Sequence, residues 1–132
     1  EGFGGFFNLG FGSPFEPLVH AGFTHRFSQV NNFYAFPGIG AGAWLSRARR
    51  ISDGMLIAAA QAIHGSLTDE DFAQGLLLPA SARLRVVAAD VASSVMQAAA
   101  EEGLAQSELP ADPRAFAADW QYQAQYERYV PA

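Results

Sequence analysis

The chain has no cysteine and no lysine, and it contains no long uninterrupted run of apolar residues. Without cysteine there is no thiol catalysis, disulfide or thiolate metal site. All eight basic residues are arginine, which excludes lysine-based acid/base or Schiff-base chemistry within these 132 residues. No apolar run approaches the roughly 20 residues that span a bilayer, so no membrane span is expected.

Positive charge is also scarce, since the net charge is −5. General binding to nucleic acid or to an anionic membrane needs a basic face, so neither partner is expected. Half of the residues are apolar, which is enough for the moderate core of one domain. The first residue is Glu1 and not methionine, which indicates a processed, truncated or partly represented chain.

The segments before Gly38 favour short strands. Residues 1–11 alternate glycine with phenylalanine, which is typical of an edge strand or of an arm that orders against another surface. Leu18 to Phe36 contains aromatic and β-branched patches that predict one or two short strands. The domain proper is expected over residues 12–132, with an aromatic tail from about residue 110.

From Gly38 onward about four helices are predicted, so the fold class is an α/β fragment that is mostly helical. Capping residues and glycines predict where these helices start and stop, and the spacing of apolar residues predicts their buried faces. The predicted helices are Gly40–Arg50 with arginines at its C-terminus, Asp53–His64 capped by Ser52, a short helix from Thr68 to Gly75, and a long helix from Pro79 and Ser81 to about Glu102. The tail, with Trp120, Tyr122, Tyr126 and Tyr129, is expected to form a subunit or domain contact.

The adjacent amides Asn31 and Asn32 are the most informative candidates for a ligand contact. They lie between a strand-prone segment and a predicted helix start, where a parallel α/β sheet binds ligands. An amide offers both a donor and an acceptor and can hold a small carboxylate. The alternative is that the pair only shapes a turn, and from the pair alone this alternative is favoured.

A glycine run, Gly38–Ala43, matches the G-x-G-x-x-A form of a dinucleotide loop, with Gly38 and Gly40 as its candidate residues. The acidic residue expected about 20 positions later is missing, because Asp53 comes too early and Asp69 lies beyond another helix. Close packing of the helix explains the glycines equally well.

The other polar residues favour structural roles. His20, His25 and His64 have no metal-ligand spacing, and no metal site is predicted from the residues. The carboxylates of Asp69–Asp71 fit a helix N-terminus. Ser13 lacks the setting of a nucleophile. No complete catalytic constellation is present.

Several ordered motifs resemble the C-terminal part of malic enzymes, over nearly the whole chain from Gly12 to about Tyr129. The motifs are Gly12–Phe15, Gln29–Gly40, Arg49–Met55, Leu67–Gly75, the Pro-containing link into a long helix that ends at Glu101–Ala105, and the aromatic end Trp120–Tyr129. The Gly/Phe-rich arm departs from the family pattern, where a β-branched, alanine-rich strand is expected.

The resemblance implies the C-terminal part of a Rossmann-like domain in an enzyme that oxidises L-malate with NAD or NADP and a divalent metal, Mg or Mn, and then releases pyruvate and CO2. It implies that Asn31, alone or with Asn32, contacts the malate carboxylate. The family's general-base lysine is absent, and its catalytic tyrosine, metal ligands and true glycine loop precede the matched part. The expected partners are malate, the remainder of the enzyme and other subunits, in the cytoplasm or the mitochondrial matrix.

Two alternatives to this fragment of a malic enzyme stay open. One is a non-catalytic helical interaction module that kept the packing of the family and lost its chemistry. The other is a free-standing dinucleotide binder that uses Gly38–Ala43.

Overall fold

A computed structural model describes residues 8–123 of the chain. Four short strands come first: β1 (Gly10–Phe11), β2 (Leu18–His20), β3 (Phe23–His25) and β4 (Ser28–Gln29). Five helices follow: α1 (Phe36–Leu45), α2 (Asp53–Gly65), α3 (Asp69–Ala73), α4 (Leu84–Glu101) and α5 (Pro113–Trp120). The predicted mostly helical α/β fold is confirmed.

The strands form two separate pairs. β2 and β3 make an antiparallel hairpin, whose two-residue turn places both Ala21 and Gly22 at positive φ, as the right-handed twist of a tight hairpin favours. β1 and β4 pair in parallel. The Phe11 ring lies against Phe15 and Phe27, with ring centroids 4.7 and 5.3 Å away. The end of the Gly/Phe-rich arm is therefore a strand, while residues 1–7 lie outside the described part of the chain.

Helix α4 lies at the centre of the helical layer, with α1, α2 and α5 packed around it. Val87, Val91 and Val95 recur on α4 at the apolar spacing of a buried helix face, and all three are fully buried. Other positions around the helix are buried as well, including Met96 and Ala99. The buried face is wider than one stripe because three helices cover α4 from different sides.

Capping residues define most helix starts. Ser52 Oγ accepts a hydrogen bond from the backbone N–H of Met55 at 3.1 Å, and Thr68 forms a capping box with Asp71. These two predicted starts are confirmed. Within residues 8–123, no helix combines the length and the hydropathy needed to cross a membrane.

Three details of the sequence prediction were wrong. Helix α1 begins at Phe36 and ends at Leu45, so the predicted arginine-rich C-terminus lies beyond it, and Arg47 has a φ of +51°. A fifth helix, α5, occupies part of the predicted aromatic tail; Asp112 caps it and Pro113 opens it. Among residues 8–123, the segment Leu18–Phe36 contains three short strands, β2, β3 and β4, where one or two were expected.

Candidate functional site

The candidate site lies where the parallel strands end. Gly10 pairs with Ser28 and Phe11 with Gln29, and the backbone N–H of Val30 donates to the carbonyl of Phe11 at 2.7 Å. The chain therefore leaves β1 and β4 at the same edge, toward Gly12 on one strand and toward Asn31 on the other. The crevice outside the carboxyl ends of parallel strands is where open α/β sheets bind ligands.

Asn31 performs a structural task at this edge. Its Oδ1 accepts a hydrogen bond from the backbone N–H of Phe33 at 3.1 Å and so caps the 3₁₀ turn of residues 32–34. The turn-shaping alternative is thus seen directly in the structure. Because the cap uses only the oxygen, the Asn31 Nδ2 group is the part of the amide left to donate to a ligand. Asn32 lies in the turn itself with an exposed side chain.

Two buried hydroxyls hold this turn in place from either side. Ser28 Oγ, on β4, accepts hydrogen bonds from the backbone N–H groups of Leu77 and Leu78 at 2.7 and 3.2 Å. The Tyr34 hydroxyl donates to the carbonyl of Pro79 at 2.6 Å. Asn31 therefore lies between two residues, Ser28 and Tyr34, that anchor its turn to the segment preceding α4.

The anchors were missed in the sequence analysis. Tyr34 is 2% exposed, and burial raises the pKa of its hydroxyl, so the group stays a proton donor to Pro79. A tyrosine inside an aromatic strand-to-helix run was an available signal, because a buried tyrosine hydroxyl usually finds a partner. No local pattern marks Ser28, whose partners are about 50 residues away.

The glycine run lies within α1 and not in a loop before it. A Cβ on Gly38 would come within 2.5 Å of Val91, and a Cβ on Gly42 within 2.7 Å of the Ala92 carbonyl. Close packing of α1 on α4 therefore explains both glycines. A Cβ on Gly40 would meet no atom within 4 Å. The suggested phosphate contact of Gly38 and Gly40 stays a prediction.

Asp71 has a structural partner on either side. The backbone N–H of Thr68 donates to its carboxylate at 2.9 Å, and the Arg83 guanidinium lies 3.0 Å away. The Thr68 N–H, the Thr68 hydroxyl and the Arg83 charge hold the pKa of Asp71 below its usual range. This carboxylate connects the short helix α3 to the start of α4.

The remaining polar candidates are dispersed. His20 and His25 are exposed on the β2–β3 hairpin, and His64 lies at the end of α2 against Phe72. Ser13 is exposed beyond β1. Residues 8–123 bring together no group of three His, Asp or Glu side chains that could hold a metal ion. The described residues thus do not fit the Mg or Mn site that the resemblance implies.

Residues 5–100 match the protein family described as "Malic enzyme, NAD binding domain". The matched region begins inside the Gly/Phe-rich arm, which the sequence analysis had set apart from the family pattern.

Curated relatives carry the same family name. The chain is 40% identical to NADP-dependent malic enzyme 2 of Arabidopsis thaliana over 123 residues, which are 92% of this chain and 21% of the relative. It is 44% identical to the NAD-dependent malic enzyme of Edwardsiella ictaluri (strain 93-146) over 94 residues, 71% of this chain and 17% of that one. It is 39% identical to the mitochondrial NAD-dependent malic enzyme of Solanum tuberosum over 104 residues, which are 78% of this chain and 17% of that relative. The chain thus spans about a fifth of the length of these relatives.

Proposed function

The chain belongs to the malic enzyme family, and we propose that it is the C-terminal portion of an enzyme that oxidises and decarboxylates L-malate to pyruvate and CO2 with NAD or NADP and a divalent metal. Dependence on one of the two nicotinamide coenzymes is supported by the matched NAD-binding domain and by relatives named for each coenzyme. By itself the chain should not turn over malate, because it contains no lysine to serve as the family's general base.

One observation carries the proposed substrate contact, namely the position of the Asn31 amide. It lies outside the carboxyl ends of two parallel strands, and Ser28 and Tyr34 hold its turn on both sides. A rigidly held neutral amide can orient a carboxylate without competing for its charge, and correct orientation of the substrate lowers the barrier of the chemical step. Asn31, alone or with Asn32, would therefore orient the malate carboxylate through its N–H₂ group.

The metal and the reacting coenzyme belong to other parts of the enzyme in this proposal. A divalent metal held by other parts of the enzyme would supply Lewis-acid chemistry, and the described residues contribute no ligand cluster to it. The contribution of this chain is to bind and orient the substrate acid. We further propose a homo-oligomeric enzyme of the cytoplasm or, in a eukaryote, of the mitochondrial matrix; the name of the Solanum tuberosum relative includes the word mitochondrial.

The test uses a chimera in which this chain replaces the matched C-terminal part of the Edwardsiella ictaluri enzyme. Malate-dependent formation of NADH by the chimera is the expected result. Asn31→Ala should then lower kcat/KM for malate by about 10- to 150-fold, because a hydrogen bond to a charged group contributes about 1.5–3 kcal/mol. The affinity for NAD should not change.

Asn31→Asp separates ligand binding from turn formation. A carboxylate oxygen can still cap the turn by accepting from Phe33, but it cannot donate to malate and it repels the substrate charge. We expect an unchanged melting temperature with a loss of kcat/KM at least as large as in Asn31→Ala. Asn32→Asp reports whether the second amide shares the task, and Gln106→Glu, an exposed amide after α4, is the matched control.

Unchanged malate kinetics in Asn31→Asp would show that Asn31 caps its turn and does not contact malate.

A second candidate function, the helical interaction module, is supported by the core that α1, α2, α4 and α5 form among themselves. It would be favoured by a chimera that folds and binds NAD but does not oxidise malate.

A further inference from the structure

Helix α1 is apolar over its entire circumference. Its ten residues are Phe, Pro, Gly, Ile, Gly, Ala, Gly, Ala, Trp and Leu, with no charged or hydrogen-bonding side chain except the indole N–H of Trp44. A helix that is hydrophobic on all sides is normally buried on all sides. In residues 8–123, however, only part of its surface is covered, chiefly by α4.

The two faces of α1 differ sharply in burial. Gly38 and Gly42 are buried against α4, whereas Phe36 and Trp44 are 60% and 72% exposed and Gly40 is exposed between them. Positions 36, 40 and 44 follow one another at intervals of four residues, so they form one stripe along the helix. The stripe lies opposite the Gly38–Gly42 face, since positions 38 and 40 are about 200° apart around a helix.

Gly40 makes a notch in this stripe. A Cβ at Gly40 would have no neighbour within 4 Å, while the aromatic side chains of Phe36 and Trp44 stand on either side. A surface with two exposed aromatic rings and a gap between them is shaped to receive an apolar side chain. Exposed aromatic residues grouped in this way mark interaction surfaces.

The neighbouring sheet indicates what covers the stripe. Among residues 8–123, β1 and β4 pair only with each other, yet parallel sheets occur almost exclusively as larger sheets that are covered on both faces. β4 ends at Gln29 and α1 begins at Phe36, so the helix is tied closely to this incomplete sheet. The matched family is a nucleotide-binding domain, and this chain spans about a fifth of its relatives.

We propose that the stripe formed by Phe36, Gly40 and Trp44 is the docking face for the preceding part of the same nucleotide-binding domain, with an apolar side chain seated over Gly40. The inference rests on the proposed function in so far as both place this chain within a longer malic enzyme. A second copy of the chain is disfavoured as the occupant because dimerisation would leave the parallel pair β1–β4 without the strands that complete its sheet.

The test compares the isolated chain with the chimera described above and needs no malate. In a Trp120→Phe background, and with the tryptophans of the Edwardsiella ictaluri part replaced by phenylalanine, Trp44 is the remaining tryptophan of both proteins. Acrylamide should quench its fluorescence readily in the isolated chain and severalfold less in the chimera, with a blue-shifted emission. Equal quenching in the two proteins would overturn the proposal.

Gly40→Arg tests the notch itself. In the isolated chain the arginine points into open space and replaces a helix-breaking glycine, so the melting temperature should be maintained or raised. In the chimera it should lower the melting temperature by several degrees, and Gly40→Ala should do so by less. Ala100→Arg, an exposed small residue of α4, is the matched control and should not affect either protein.

The other outcomes are also decisive. A chimera as stable with Gly40→Arg as without it overturns the docking face. A doubling of the isolated chain's mass in sedimentation that Gly40→Arg abolishes would assign the stripe to a second copy and overturn the proposed occupant. If Asn31→Asp leaves malate kinetics unchanged while Gly40→Arg destabilises the chimera, the substrate contact is rejected and the docking face is supported. If Asn31→Asp lowers kcat/KM for malate while Gly40→Arg leaves the chimera stable, only the docking face is rejected.

Discussion

The helical half of the molecule and its strand segment are stabilised in different ways. Residues of α2 and α4 such as Met55, Val87 and Val91 are completely buried, and they form one core among the helices. In the strand segment, by contrast, Val19 and Phe23 are about 70% exposed and the strands are two or three residues long. The helices thus bury their apolar side chains against one another, whereas the strands depend on contacts with other segments, such as the bonds of Ser28 to Leu77 and Leu78.

The largest effect should come from truncating the core of the helical half. Met55→Ala removes a fully buried side chain and should lower the free energy of unfolding by about 2–5 kcal/mol. Phe23→Ala, in the exposed hairpin, should change it by less than about 0.5 kcal/mol. Urea unfolding of the isolated chain measures both. Equal losses would show that the two regions share one core, contrary to the burial observed.

A smaller effect is expected where α1 approaches α4. The Cβ of Gly42→Ala would lie 2.7 Å from the Ala92 carbonyl and from Val95, so the helices must separate, at a cost of about 1–3 kcal/mol. Gly40→Ala makes the same chemical change on the open face and should stabilise the isolated chain by about 0.5–1 kcal/mol. Thermal unfolding should therefore shift in opposite directions, and a shared direction would contradict the close packing assigned to Gly42.

The smallest effect concerns acid stability at the corner between α3 and α4. The pKa of Asp71 is lowered in the folded chain, so the stability it contributes is present above its unfolded value of 3.8 and is lost as the pH falls through the lower folded value. The side chain is near the surface, so the contribution is modest.

Asp71→Asn should lower stability at pH 7 and flatten its decline below about pH 4. Melting temperatures measured from pH 7 to pH 2 provide the check. Asp69→Asn, an exposed change in the same turn, is the control. Parallel acid profiles for the Asp71→Asn variant and the unsubstituted chain would show that the capping carboxylate contributes nothing.

The sequence predicted the helices whose starts are encoded by neighbouring residues. Ser52 and Thr68 both cap the helices that they were expected to cap, because an N-cap bond joins residues only three positions apart. The same kind of signal, Asp112 followed by Pro113, was present for α5, but its aromatic residues were interpreted as a tail. The early end of α1 was missed because no glycine or proline directly follows Leu45, and the arginines up to Arg50 were interpreted as the C-terminus of the helix.

The candidate site was predicted less completely. Asn31 lies just beyond the end of β4, as expected, and its role as a ligand contact stays a prediction. The anchors Ser28 and Tyr34 follow from contacts across the fold. Hydrogen bonds between residues about 50 positions apart leave no periodic trace in the sequence. The packing of Gly38 against Val91 was one of two explanations that the glycine run allowed, and the choice required knowing where α4 lies.

The sequence by itself determined the chemistry that this chain can supply and most of the helices that it forms, because composition, capping residues and apolar spacing can be seen without knowing which distant segments meet. Without lysine or cysteine, the polar side chains available for contact with a substrate were amides, carboxylates, hydroxyls, histidines and arginines. Only the tertiary structure decided which face of α1 is buried and which is open, and that Asn31 is held at the edge of a parallel pair. Those outcomes depend on how distant segments meet, and the free energy of such contacts is not encoded in either segment alone.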